Sequence, residues 1–89
     1  MRQHAAVDGV QAQGCGALHN LAINADNQVK VAAQGGIKVV VAAMRQHAAV
    51  AAVQVPGCYA LCNLAINDDN KVKVAAQGGI EVVVALRQP

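Results

Sequence analysis

The sequence predicts an all-α chain, a helical solenoid in which short helices stack unit on unit. Three observations predict it. Residues 20–37 read NLAINADNQVKVAAQGGI, and residues 63–80 read NLAINDDNKVKVAAQGGI. A shift of 43 residues aligns a first copy (1–43) with a second (44–86), and 33 of the 43 positions are identical. The differences fall at positions 8, 9, 12, 13, 16, 19, 25, 28, 38 and 43. A period of this length is in the range of helical solenoids, whose unit is one supersecondary element. Within each copy, apolar residues recur at helical spacing and are interrupted by an Asn/Asp-rich turn and a Gly pair. At 89 residues the chain is a single domain, 1–89. Residues 87–89 begin a third copy, which Leu86-Arg87-Gln88-Pro89 enters one residue short.

The elements follow in order. From Val7 to Ile23, Val10, Leu18, Leu21 and Ala22 recur at helical spacing, with Gly14 and Ala17 on the same side. This is the long helix. Asn24 stops it, and Asp26 is the expected N-cap of a second helix. That helix runs from about Asn27 to Gln34, with Val29, Ala32 and Ala33 as its inner face. Gly35-Gly36 closes it, because a Gly just past a helix takes the left-handed conformation that satisfies the last carbonyls. Ile37 to His47 (IKVVVAAMRQH) is the third element. Its three consecutive Val would suit a strand. Its length, its Ala-Ala-Met-Arg-Gln finish and the repeat period favour a helix, with a βα repeat as the alternative. In the second copy Pro56 replaces Gln13. A Pro inside a helix removes a backbone bond and clashes with the preceding turn. The long helix is therefore expected to start at Pro56, or to break or kink between Val53 and Gly57.

Composition narrows the function. Hydrophobic residues make up 55%, mostly Ala and Val, with Tyr59 the single aromatic. Such side chains pack closely but contribute little burial energy each. A chain this short and this poor in large side chains should be marginally stable alone. The net charge is +2, and Arg2, Lys30, Lys38, Arg45, Lys71, Lys73 and Arg87 are scattered. No basic stripe forms, so no nucleic-acid partner is expected. The three Cys and the absence of an apolar leader in MRQHAAVDGV predict a reducing, intracellular setting, cytoplasmic or nuclear. Residues 46–67 lack charge and are long enough to span a bilayer. Their Gln54, Pro56, Gly57 and Asn63 make that costly, so no membrane span is expected.

The string Ala-Leu-x-Asn-Leu-Ala, a polar turn, a short helix, Gly-Gly-Ile and an apolar helix resembles the armadillo repeat. In the first copy the carrying residues are Ala17, Leu18, Asn20, Leu21, Ala22, Asn27, Gly35, Gly36 and Ile37. In the second they are Ala60, Leu61, Asn63, Leu64, Ala65, Asn70, Gly78, Gly79 and Ile80. The resemblance covers essentially the whole chain. It implies a right-handed armadillo/HEAT-like solenoid in which each long helix is the third of a repeat. It also implies an excerpt of a longer array, since neither end has an obvious polar cap. By the same resemblance, an extended peptide would lie along a concave face lined by the third helices. Asn20 and Asn63 match the family's Asn ladder, and the aromatic position four residues earlier falls on Gly16 and Tyr59.

A helical wheel, independent of the family, places Leu18, Gly14, Leu21 and Val10 on one side. Ala12, Gly16 and Asn20 form the opposite stripe, with Val55, Tyr59 and Asn63 as its counterpart. An Asn there offers a donor and an acceptor to a peptide backbone, or bonds a neighbouring loop carbonyl. Tyr59 is the candidate anchor, because rigid amphipathic aromatics concentrate at binding centres. Cys15/His19 and Cys58/Cys62 are spaced i, i+4 and have zinc-ligand chemistry. Stacked copies would point both pairs the same way, so small buried thiols are expected rather than a metal. A Cys58–Cys62 disulfide on adjacent turns is disfavoured. Asp26 and Asp68-Asp69 read as helix caps, and His4 and His47 as residues suited to helix C-termini. No catalytic set and no phosphate loop is present, so neither an enzyme nor a cofactor is expected. The expected function is a non-catalytic scaffold binding a peptide or partner surface. The alternative is a structural segment that self-associates through its open ends.

Overall fold

The computed structural model describes residues 6–86 and folds each copy into three helices. The first copy forms α1 (Asp8–Leu21), α2 (Ala25–Ala33) and α3 (Gly36–Gln46). The second forms α4 (Ala51–Leu64), α5 (Asp68–Ala76) and α6 (Gly79–Ala85). No strand occurs among the described residues. The first valine run is helical for a packing reason. Ile37, Val40, Val41 and Met44 are all buried and spaced i, i+3, i+4, i+7, which puts them on one helical face. That burial outweighs the modest strand preference of Val.

Local chemistry sets the corners. Asn24, not Asp26, is the N-cap of α2: its Oδ1 accepts from the Asn27 N–H at 3.0 Å. Asn67 does the same for α5, accepting from the Asn70 N–H at 3.0 Å. The expected caps Asp26, Asp68 and Asp69 lie in the first turn instead, where negative charge suits the helix dipole. Asn outcompetes them because it stands in extended backbone just before the helix, where its side chain reaches the free N–H groups. Gly35 and Gly78 adopt φ of 84° and 93°, the left-handed corner expected of the Gly pair.

Two further expectations need correction. The helix containing Pro56 neither starts nor breaks there but runs from Ala51 to Leu64. The bond Pro56 cannot make would have gone to the Ala52 carbonyl, and Ala52 is exposed, so water can take the donor's place. In α2 the inner residue is Gln28, while Val29 and Ala33 are exposed and Ala32 is half-buried. His47 is the C-terminal cap of α3 and is buried; His4 lies outside the described residues.

Unit packs on unit chiefly through α1 against α4, with α3 wedged on α4 and further contacts of α2 with α5 and α3 with α6. The core joins Cys15, Ala22, Ile37, Val40, Val41 and Met44 to Val53, Ala60, Leu61 and Leu64. Gly57 permits the close approach of α3 to α4. A Cβ there would lie 2.7 Å from Met44 Cγ and 2.9 Å from its Sδ.

Buried amides tie the small-residue core together. Gln54 Nε2 donates to the Met44 and His47 carbonyls at 2.8 and 2.9 Å, closing the C-terminal end of α3. Gln28 Nε2 donates to the Ala22 carbonyl at 2.9 Å, just past α1. Asn70 Nδ2 donates to the Leu64 carbonyl at 3.0 Å and, across the unit boundary, to the Gln28 carbonyl at 2.9 Å. The last carbonyls of a helix lack intrahelical partners, so each amide satisfies groups that burial would otherwise strand.

Candidate interaction surface

The strip of Ala12, Gly16, Asn20, Val55, Tyr59 and Asn63 is not uniformly open. Val55, Tyr59 and Asn20 are exposed, whereas Ala12, Gly16 and Asn63 are partly buried. Helix α4 presents Tyr59 with 56% of its surface exposed, and its ring stacks on His19 of α1 at 5.2 Å between centroids. The stack holds the phenol in place while leaving most of it to solvent. Asn63 Nδ2 donates to the His19 carbonyl at 2.9 Å, so the Asn stitches α4 to the end of α1. Its donor serves the neighbouring unit, and the side chain also carries an acceptor, Oδ1. A Cβ on Gly16 would meet nothing within 4 Å, so this place has room for a larger group.

Beside Tyr59 lies an apolar groove of about 320 Å³ lined by Gln54, Val55, Cys58, Tyr59, Cys62 and Leu86. A larger groove of about 540 Å³ lies on the first unit, between α1, α2 and α3. Its lining includes Gly14, Ala17, Leu18, Leu21, Val31 and Val39, with Asn27 and Lys30 at its polar points. The wheel assigns Leu18, Gly14, Leu21 and Val10 to the inner side. In the first unit Leu21 is half exposed and the other three are only partly buried. Their counterparts Leu61, Gly57, Leu64 and Val53 are all buried. The wheel identified the face correctly, but only the second unit has a neighbour on it.

All three cysteines are free thiols. Burial raises the Cys15 thiol above its ordinary range, and burial, then the neighbouring Cys62, raises Cys58. Cys62 is exposed. Stoichiometric maleimide should therefore label Cys62 first, Cys58 more slowly and Cys15 only on unfolding, as mass spectrometry of peptides would show. Early labelling of Cys15 would contradict this core. Among the described residues, no three His, Cys, Asp or Glu side chains come together to hold a metal ion. Among them, too, no helix is long and apolar enough to cross a membrane.

The buried amides Gln28, Gln54 and Asn70 and the large groove escape a reading by hydrophobic pattern. One signal does point to the groove: its residues Gly14, Ala17, Leu18, Leu21, Val31 and Val39 are identical in the second copy. Comparisons with protein-family models, curated proteins and solved structures find no significant match.

Proposed function

We propose that this chain is a non-catalytic protein-interaction scaffold, an armadillo-like stack that offers the Tyr59 strip to a peptide or partner surface. The observation that carries the reading is Tyr59 itself: a large, mostly exposed aromatic, held rigid by His19 and bordering an apolar groove. A preordered aromatic contributes contact area at small entropic cost, which suits a binding centre. Val55 extends the apolar contact along α4. Asn63 Oδ1 accepts a backbone N–H, and Gly16 and Ala12 leave room for the partner chain. Exposed Asn20 continues the strip on the first unit.

Tyr59→Ala should weaken capture of a peptide partner by about 30-fold or more, the hot-spot range. Asn63→Ala should cost less, because its donor already serves the fold. Titration against a displayed random-peptide library, with circular dichroism as the fold control, reads both. Unchanged binding by both variants removes the strip from the proposal.

A second reading, a structural segment of a longer helical stack, is favoured by the apolar end faces. Ile80, Val83, Val84 and Leu86 are all exposed, although their chemistry is that of a core.

A further inference from the structure

The two copies share a sequence but not an environment, and the difference is systematic. Ile37 is 1% exposed and Val41 2%, while their counterparts Ile80 and Val84 are 57% and 51% exposed. In the opposite sense, Leu64 is fully buried and its counterpart Leu21 is 50% exposed. One face of the first unit is therefore closed by the second, and the reverse face of the second is closed by the first. The chain holds one complete junction and both halves of another.

We infer that a second copy of this chain occupies these two open faces. The groove around Leu18 and Leu21 of one molecule seats on the Ile80/Val84 face of the next. The occupant is argued from the junction already formed inside the chain. The buried residues Val53, Gly57, Ala60, Leu61, Leu64 and Val82 make the closed form of the groove face. The open form carries Val10, Gly14, Ala17, Leu18, Leu21 and Val39, identical at every position. None of the ten differences between the copies touches this set. The opposite face keeps Ile80, Val83, Val84 and Ala65 where the internal junction uses Ile37, Val40, Val41 and Ala22.

The two Asn stitches transfer as well, because their acceptors are backbone carbonyls and survive any side-chain change; the pair of bonds from Gln54 does not, since its second acceptor has no counterpart in the sequence. Asn20 would donate to the Cys62 carbonyl of the neighbour, as Asn63 donates to that of His19. Asn27 would donate to the Lys71 carbonyl, as Asn70 donates to that of Gln28. Such pairing is head to tail. It does not close on itself at two molecules, so it grows with concentration.

Several features weaken the intermolecular junction relative to the internal one: Leu86 and Arg87 stand in sequence where the internal junction has buried Ala43 and Met44. The Tyr59–His19 stack has no equivalent, because Gly16 would face Cys62. Restoring it with Gly16→Tyr and Cys62→His in one chain should tighten self-association by about 2- to 10-fold.

Sedimentation velocity over a wide concentration range tests the inference. The wild-type chain should exceed its 9.1 kDa monomer mass progressively as concentration rises. Leu21→Glu blocks the groove face and Val84→Glu the opposite face. Both positions are exposed in the single chain, and unchanged helicity by circular dichroism confirms each fold. Each variant alone should stay monomeric, and an equimolar mixture should give a dimer and nothing larger. A wild-type chain that is monomeric throughout overturns the inference. So does self-association of either single variant, which would mean like faces pairing, or an unchanged affinity in the Gly16→Tyr/Cys62→His chain. Neither blocking position lies on the Tyr59 strip, so failure here leaves the scaffold reading to its own test.

Discussion

Asn70→Asp is expected to destabilise the chain severely at neutral pH. Asn70 is 1% exposed, and its Nδ2 donates to two carbonyl oxygens, those of Gln28 and Leu64. A carboxylate in its place turns both contacts from attraction to repulsion and buries a charge with no partner. An uncompensated buried charge costs about 3–5 kcal/mol. That is a large fraction of the ~5–15 kcal/mol that holds a domain together. For a domain of this size each kcal/mol lowers Tm by about 4–8 °C. Acid should rescue the variant in part. Burial and the two carbonyls raise the folded-state pKa of the new carboxyl above its unfolded value of about 3.9. Its penalty is therefore smallest below that unfolded value, grows as pH rises, and is complete above the folded value. The measurement is thermal denaturation at pH 3 to 8, each point compared with the wild type. A pH-independent difference would mean that the two carbonyls do not face the side chain. Asn70→Ala, which removes donors without adding charge, should cost less, about 1–3 kcal/mol.

The second large effect is at Gln54. Gln54→Leu preserves bulk but removes both hydrogen bonds that close α3. The His47 carbonyl keeps the Val50 N–H at 2.9 Å, so the loss falls mainly on the Met44 carbonyl. A buried acceptor left without a donor costs about 1–3 kcal/mol. Loosening should be local first, since Met44 also packs against Gly57 and anchors α3 on α4. Native-state hydrogen exchange should show protection falling in α3 and the N-terminal half of α4, with α5 little changed. Equal loss across all six helices would indicate that Gln54 holds the fold as a whole rather than one helix end.

These two sites mark where reading the chain as a string stops. Helix order and the Gly corners follow from local rules, whereas the helical identity of the first valine run also rests on burial. A Gly pair and an i, i+3, i+4, i+7 pattern act within a few residues of themselves. Asn24 and Asp26 are both good cap residues by type, and only the extended backbone at Asn24 separates them. The expectation of a start, break or kink at Pro56 rests on the lost bond, which is local, whereas the exposure of Ala52 that offsets it is not. The candidate strip was legible as a stripe on a wheel. What a wheel cannot contain is the His19 carbonyl that takes up the Asn63 donor from another helix.

By itself the sequence determined the unit: three helices, their corners, and which side chains are apolar enough to seek cover. It did so twice, in nearly identical words. Only the tertiary structure decided which of those side chains find cover. Leu21 and Leu64 have the same neighbours along the chain, yet one is half exposed and the other fully buried. The reason is that burial is a relation between units. Propensity, capping and periodicity act over one or two turns, but the water leaves an apolar face only when another unit arrives to displace it.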